Sequence, residues 1–327
     1  MSDKDSLFTQ ICSFENLYQA YRKARRGKRA KPPAADFEFN QETELLRLRD
    51  ELVSETWRPG DYHSFTIQRP KRRLISAAPF RDRVVHHAVC HLIEPIWERR
   101  FIHDSYANRR GKGTHRAILR CNQFARRYRY VLQCDLEQFF PSIDHAILRA
   151  ELARYIQDEK TLALIELILE SGAGVLSQVY EMRWFPNDDL FSTQRPRGLP
   201  IGNLTSQFWA NVYLNPFDHY VKRELRCKAY LRYVDDFLLF ADEKATLRRW
   251  AKGIQTRLAR FRLTMHTPQV YPVGNGIPFL GFVVYPTHRR LKRRRGIAFQ
   301  RHFRNMFQQW VAGEIPRERL DAAARSW

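Results

Sequence analysis

Between Tyr230 and Ala241 the chain reads YLRYVDDFLLFA, two apolar runs meeting at the adjacent carboxylates Asp235 and Asp236. Neighbouring like charges repel and aspartate has low strand propensity, so the pair belongs at a hairpin tip; in isolation an ordinary polar turn explains it as well. It does not stand in isolation. An earlier apolar run, Tyr130 to Leu136, reads as a strand that delivers Asp135 at its far end. Carboxylates on neighbouring strands, with the backbone carbonyl of Leu136 beside one of them, make a hard-oxygen donor set for two Mg²⁺ ions roughly 3.5 to 4 Å apart. Such a set suits in-line phosphoryl transfer: one ion acidifies an attacking 3′-hydroxyl and the other neutralises a triphosphate and the departing pyrophosphate.

The charge balance names the partner class. Lys and Arg total 56 against 35 Asp and Glu, a formal net charge of +21. A compact particle this basic repels itself unless a polyanion neutralises it, and nucleic acid is the commonest. Two clusters carry much of the excess, RKARRGKRAK from Arg22 to Lys31 and HRRLKRRRGIAFQRHFR from His288 to Arg304. Solvated faces are the plain reading of such runs. Phe299, Phe303, Phe307 and Trp310 interleave with or follow the second cluster, which predicts an amphipathic helix packed on one side and wet on the other. With 44% hydrophobic residues the chain is rich enough in apolar surface to exclude wholesale disorder. No apolar run reaches the ~18 to 20 residues of a membrane span, and the polar MSDKDSLFTQ start does not read as a signal peptide. Cys12, Cys90, Cys121, Cys134 and Cys227 are scattered without a CxxC pair, so a soluble, reduced cytoplasmic protein is expected, with no disulfide framework.

Along the chain, the basic N-terminal run followed by KPPAAD (Lys31 to Asp36) reads as an arm and linker. Helices are expected over Gln41 to Glu55, over Ser76 to Ile93 with Pro79 as a breaker, from Gly113-Thr114 to about Tyr128, and over most of Ile143 to Leu169. His63 to Ile67 reads as a short strand. The fold class is α+β. His86, His87 and His91 lie on a helical pattern with no Cys or carboxylate cluster and read as structural or surface groups.

Asp135 with Phe140, the string Gly198-Leu-Pro-Ile-Gly-Asn-Leu-Thr-Ser-Gln207, and Tyr233-Val-Asp-Asp236 stand in the order of the palm motifs of reverse transcriptases, and the chain resembles that family from about Phe65 to Pro286. Further matches are Lys71-Arg-Arg-Leu-Ile-Ser-Ala-Ala-Pro-Phe80, Arg81-Asp-Arg-Val-Val85 and Phe279-Leu-Gly-Phe282 before Pro286-Thr-His288. Most reverse transcriptases carry Gln and Pro where this chain has Ile201 and Gln207. The variant is similar to the reverse transcriptases of diversity-generating retroelements of bacteria and phages.

The resemblance implies a right-hand polymerase: an N-terminal basic arm and fingers over 1–112, a palm with an embedded fingers segment over 113–285, and a short or truncated thumb over 286–327. It implies Asp135, Asp235 and Asp236 as the catalytic, metal-site carboxylates, the three that the residues themselves point to, with Asp236 the least direct ligand. Phe140 stands where a bulky ring lies under the sugar and excludes a ribose 2′-hydroxyl, unless it is a core aromatic like its neighbour Phe139. Arg73, supported by Lys71, stands where cations clamp the triphosphate, a task suited to guanidinium geometry. Ile201 replaces a hydrogen-bonding glutamine near the nucleotide, which predicts low fidelity unless it is simple packing beside Leu199. Gly202 permits a close backbone approach there. Ser206 and Gln207, with Arg293 and Arg294 in the last segment, are the expected template contacts. Implied partners are a template RNA and its RNA/DNA hybrid, dNTPs, and a small basic ring-forming accessory variability protein; the errors implied fall opposite template adenine. Retron-like, group II-like or phage-defence reverse transcriptases are the alternatives within the chemistry, and a non-catalytic RNA-binding scaffold the alternative outside it.

Overall fold

The computed structural model describes residues 6–68 and 72–326. Two serines start the first helices by capping: Ser6 Oγ accepts from Thr9 N ahead of α1 (Leu7–Cys12), and Ser13 Oγ accepts from Asn16 N ahead of α2 (Phe14–Ala24). Two more helices follow, α3 (Pro32–Phe39) and α4 (Gln41–Val53). The expected arm and linker are therefore corrected. Pro32 and Pro33 occupy a helix's first turn, where a missing N–H costs nothing, so the same dipeptide that reads as a linker starts a helix.

What holds this segment is burial against the long helix that follows the first hairpin. After the antiparallel hairpin of β1 (His63–Ile67) and β2 (Arg73–Ala77) comes α5 (Phe80–Glu98), which begins directly after Pro79. Tyr21 stacks on Phe37 at 5.4 Å and meets Phe80 edge-on at 6.4 Å, while Asn16 Nδ2 donates to the Ala88 carbonyl at 3.2 Å. The basic run keeps Arg22, Arg26, Lys28 and Arg29 on the exposed side, and Arg25 and Arg29 both pair with Glu38.

Next come α6 (Thr114–Arg127), β3 (Tyr130–Asp135), the single turn α7 (Phe139–Ser142), α8 (His145–Ala153) and α9 (Glu159–Gly172). The long helical stretch expected from Ile143 thus breaks before Asp158, whose Oδ1 caps α9 through Thr161 N and whose Oδ2 accepts from Phe8 N at 2.8 Å. The helix α10 (Leu204–His219) is buried on nearly every side, through Phe208, Trp209, Val212, Tyr213, Leu214 and Phe217 and also through the polar Asn211, Asn215 and Asp218. The strands β4 (Tyr230–Tyr233) and β5 (Asp236–Ala241), then α11 (Lys244–Ala259) and β6 (Gln269–Pro272), complete an antiparallel sheet in the order β4-β5-β3-β6. Phe237 to Phe240 are all buried, because this sheet is covered on both faces and its central strand is apolar without alternation.

A second sheet, β7 (Ile277–Phe279), β8 (Phe282–Val284) and β9 (Arg289–Leu291), spans the expected palm–thumb boundary, since β8 pairs with β9 across residue 286. The helices α12 (Arg293–Val311) and α13 (Arg317–Ser326) form the terminal hairpin. The amphipathic helix expected here forms, but its apolar stripe is only partly covered: Met306 is buried, whereas Phe307 is 46% and Trp310 37% exposed. The helix packs on short, polar α13, which contributes Leu320 as its one buried side chain, and that is too little apolar surface to cover four aromatics. The architecture is α+β. All five cysteines are buried free thiols, and among the described residues no helix is long and apolar enough to cross a membrane.

His86 sits fully inside, on α5, with Nδ1 3.5 Å from Thr205 Oγ1. Burial, aided by the nearby positive charges of His87 and Arg83, pushes its imidazole down from 6.5 to about 3. The unfolded chain therefore binds a proton below pH 6.5 that the folded chain refuses, so the stability is complete above pH 6.5 and is lost as pH falls toward 3. His87, pushed down to about 4, acts in the same direction. Urea midpoints are expected to be flat from pH 8 to 7 and to fall steadily from pH 6 to 4; a His86→Asn chain shows a shallower fall over the same range.

Candidate active site

The register of the central strands decides the site. β3 and β5 pair so that Asp135 lies opposite Asp236, at the end where β5 turns into β4. Tyr233 pairs with Asp236, leaving Val234 and Asp235 as a two-residue loop. Val234 has φ +58° and Asp235 does not share it, the pattern of a type II′ turn, which matches strand twist but ordinarily takes glycine first. The Leu136 N–H reaches the Asp235 carbonyl at 3.4 Å, and His266 N donates to the Asp135 carbonyl at 3.0 Å. The sequence expectation of a carboxylate-tipped hairpin holds, with Asp236 as the first strand residue rather than part of the tip.

Electrostatically the pair is uneasy. Burial raises the pKa of Asp235 above the usual carboxylate range, and the charge of Asp135 raises it further; Arg73 and the backbone amides of Asp235 and Asp236 pull the other way. Among the described residues, no ion pair within 4.0 Å claims Asp135 or Asp235, although the chain has more than enough cations. Two adjoining carboxylates without a basic partner in a chain of net +21 are a place for a cation. No group of three or more His, Cys, Asp or Glu side chains converges among the described residues, so there is no closed protein cage. Mg²⁺ does not need one: it is commonly held by one or two carboxylates and completes its octahedron with water and substrate phosphate. The donor set fits that ion.

The walls come from two further segments. After β3 the chain turns through Gln138 at φ +45° into α7. Phe139 is buried and Phe140 is half-buried beside it, with ring centroids 5.4 Å apart, so only the second ring keeps an open face. Leu199 N donates to the Phe140 carbonyl at 2.9 Å and Gly198 N to the Ile143 carbonyl at 2.8 Å, which draws the 198–207 string alongside. Ile201 accepts from Ser76 N at 2.8 Å through its carbonyl. Gly202 has φ +125°, and a Cβ there would stand 3.0 Å from Ile75 Cγ2, so the close approach at this glycine is made by the β1–β2 hairpin, whereas the sequence reading expected it for nucleotide and template.

The sequence reading gave Asn203 no role, yet it ties fingers to palm. Buried at the start of α10, it accepts from Ala78 N at 3.1 Å and donates to the carbonyls of Ser76 at 3.0 Å and Pro200 at 3.3 Å. An asparagine before an apolar helix reads as a cap, so the signal was present and pointed elsewhere. Arg73, exposed at the start of β2, lies close enough to Asp235 to act on it electrostatically. Lys71 lies outside the described residues. Ser206 is buried and Gln207 exposed on α10, one turn beyond Asn203. Arg293 and Arg294 are exposed at the start of α12, on the terminal hairpin and not on the carboxylate sheet.

The family profile described as reverse transcriptase (RNA-dependent DNA polymerase) matches residues 66–284. Protein YkfC of Escherichia coli is 26% identical over 88% of this chain and 83% of that protein. The group II intron-encoded protein LtrA of Lactococcus lactis is 25% identical over 64% of this chain, and nuclear intron maturase 1 of Arabidopsis thaliana 31% identical over 38%. The chain spans 33% and 18% of those two proteins, respectively. In fold it is similar to apo telomerase from Candida tropicalis truncated from its C-terminal domain, with TM-score 0.53 at 11% identity over 71% of this chain and 55% of that one. The matched span contains both strands of the carboxylate pair, the half-buried Phe140 and the stapled 198–207 string, and with that coverage the chain belongs to the reverse transcriptase family, the RNA-dependent DNA polymerases.

Proposed function

We propose that this chain extends a primer along a template RNA with dNTPs, using Asp135 and Asp235 to hold Mg²⁺, with the Leu136 carbonyl and Asp236 completing the protein's share of the donors. The observation that carries this is Asp135 and Asp235 brought together at the β3–β5 end, where burial and the charge of Asp135 both disfavour the ionised Asp235 and, among the described residues, no ion pair within 4.0 Å claims either carboxylate. Mg²⁺ bound there supplies Lewis acidity, favouring the alkoxide form of the primer 3′-hydroxyl and offsetting charge on the triphosphate. Arg73, with Lys71, holds the triphosphate by charge-assisted hydrogen bonds. Phe140 presents its open face to the sugar and excludes the 2′-hydroxyl. Gly202 lets backbone approach the incoming nucleotide, and the exposed Gln207, Arg293 and Arg294 contact template and hybrid, whereas Ser206, expected to join them, is buried in α10.

The string Ile201-Gly202-x-x-x-Ser206-Gln207 supports a finer reading, a reverse transcriptase of a diversity-generating retroelement. Ile201 offers no side-chain hydrogen bond where a glutamine would, so mispairs are rejected less strongly, and errors opposite template adenine are the expected signature. A retroelement RNA and a basic ring-forming accessory protein are the partners under this reading. Relatives with intron maturase names support a second reading, an intron-type enzyme, for which errors would be few and evenly spread.

Primed cDNA synthesis with Mg²⁺ and dNTPs, read by sequencing, tests both. Asp135→Asn and Asp235→Asn are each expected to lower extension about a thousandfold, the several kcal/mol that a Lewis-acid site supplies; extension at the wild-type rate by either variant overturns the site. With rNTPs in competition, Phe140→Ala is expected to reduce the preference for dNTPs by about tenfold or more, as removal of a steric clash does. Ile201→Gln is expected to lower misincorporation opposite adenine several-fold, about the value of one hydrogen bond at ~1 kcal/mol, and an unchanged error spectrum removes Ile201 from the account of fidelity.

A further inference from the structure

One ion pair, among the described residues, is wholly buried, and its partners lead to the turn that carries Asp235. Arg232, on β4, and Asp218, on α10, both have side chains at 0% exposure. Arg232 Nε and Nη2 donate to the two Asp218 carboxylate oxygens at 2.8 and 2.7 Å, and Tyr230 Oη donates to the same carboxylate at 2.6 Å. The remaining nitrogen does something else: Nη1 donates to Asn211 Oδ1 at 3.1 Å and to the Val234 carbonyl at 2.9 Å. Asn211 is itself fixed, donating from Nδ2 to the Ala107 carbonyl at 2.9 Å. The backbone of Arg232 is also held, its N–H on the Asp104 carbonyl at 2.9 Å and its carbonyl on Tyr106 N at 3.0 Å.

A buried ion pair is weak evidence for stability, because desolvation offsets most of its attraction and an apolar replacement often serves as well. The geometry here does more than neutralise charge. Val234 is a β-branched residue in the left-handed region, a conformation that persists only when its surroundings over-determine it. Its carbonyl closes the peptide to Asp235, so a donor fixed on that oxygen fixes the peptide plane from which the Asp235 side chain departs. The guanidinium fork permits this: two nitrogens are spent on Asp218 and the third is left pointing at the turn.

We infer that Arg232 is a positioning residue, which through its bond to the Val234 carbonyl holds the strained turn so that Asp235 meets Asp135 at the separation a shared divalent cation requires. The inference rests on the reading of Asp235 as a metal-site carboxylate. A lysine keeps the charge opposite Asp218 but cannot both pair with that carboxylate bidentately and reach Val234. Arg232→Lys is therefore expected to raise the Mg²⁺ concentration for half-maximal extension at least fivefold and to lower kcat about tenfold or more, with the KM for dNTP and the affinity for primer–template within twofold of wild type. Mn²⁺ binding to the full chain, followed by electron paramagnetic resonance without substrate, is expected to weaken by a similar factor, a readout independent of turnover. Asn211→Ala, which frees Nη1 on its other side, shows the same pattern at smaller size and carries the test alone if Arg232→Lys does not fold. Asp235→Asn, run alongside, separates the two ideas. If that variant extends primers normally, the metal-site reading itself fails. If it is inactive while folded Arg232→Lys or Asn211→Ala binds Mn²⁺ as wild type does and loses only thermal stability, Arg232 is an ordinary buried ion pair and the inference is overturned.

Discussion

The pairing of β3 with β5 is the constraint on which the rest depends. Six residues of each strand meet in register from Tyr130 with Ala241 to Asp135 with Asp236, and the apolar part of that ladder is buried on both faces. Each fully buried Phe or Leu in it contributes roughly 1.5–3 kcal/mol. That burial is what keeps two acidic positions side by side at the ladder's end against their mutual repulsion. A slip of one residue would turn every side chain to the opposite face and separate the carboxylates, so the apolar register and the catalytic register are the same property.

Around that ladder, the acidic minority is used as connectors. Asp104 takes Arg120 and Lys222, Asp144 takes Arg195 and a close contact from Arg262, Glu38 takes Arg25 and Arg29, and Asp218 takes Arg232. Glu38 and Asp218 tie neighbouring elements, while Asp104 through Lys222 and Asp144 reach across the chain, Asp144 joining the N-terminus of α8 to the loop before α10 and to the end of α11. With 35 acids among 56 bases, such connectors neutralise the cations that the fold needs inside and leave the remainder exposed for phosphate. Asp135 and Asp235 stand apart from this scheme because, among the described residues, no ion pair within 4.0 Å claims them and only the field of Arg73 reaches Asp235.

Much of the palm was legible because its signals are local. The apolar runs around Asp135 and Asp235 read as strands meeting at a carboxylate tip, while the turn itself, Val234-Asp235 with Asp236 already in β5, is set by the pairing register. The helices of the N-terminal segment were misread because their evidence is ambiguous at short range: Pro32-Pro33 serves a linker and a first helical turn equally, and Leu17, Ala20 and Tyr21 sit among arginines that dominate the composition. Their burial depends on α5, which lies some sixty residues away in the chain, and no local pattern records that partner. Asn203 was hidden differently, since its bonds run to the backbone of β2, and a side chain that binds backbone leaves no complementary residue to find.

Arg232 was legible in principle. A guanidinium between Leu231 and Tyr233, in a strand covered on both faces, must have a buried carboxylate, and Asp218 is the acidic residue of the helix packed beneath. What the sequence withholds is the third nitrogen. Only the fold shows that neutralising the charge leaves one N–H over, that it meets the carbonyl of a valine with positive φ, and that this valine precedes Asp235. A side chain spent on stability alone would have no reason to end there. Under the proposed function the carboxylates are the chemistry, and their place at a strand end and a hairpin tip can be read from the sequence. The donor that fixes their turn is geometry, and it belongs to the assembled core.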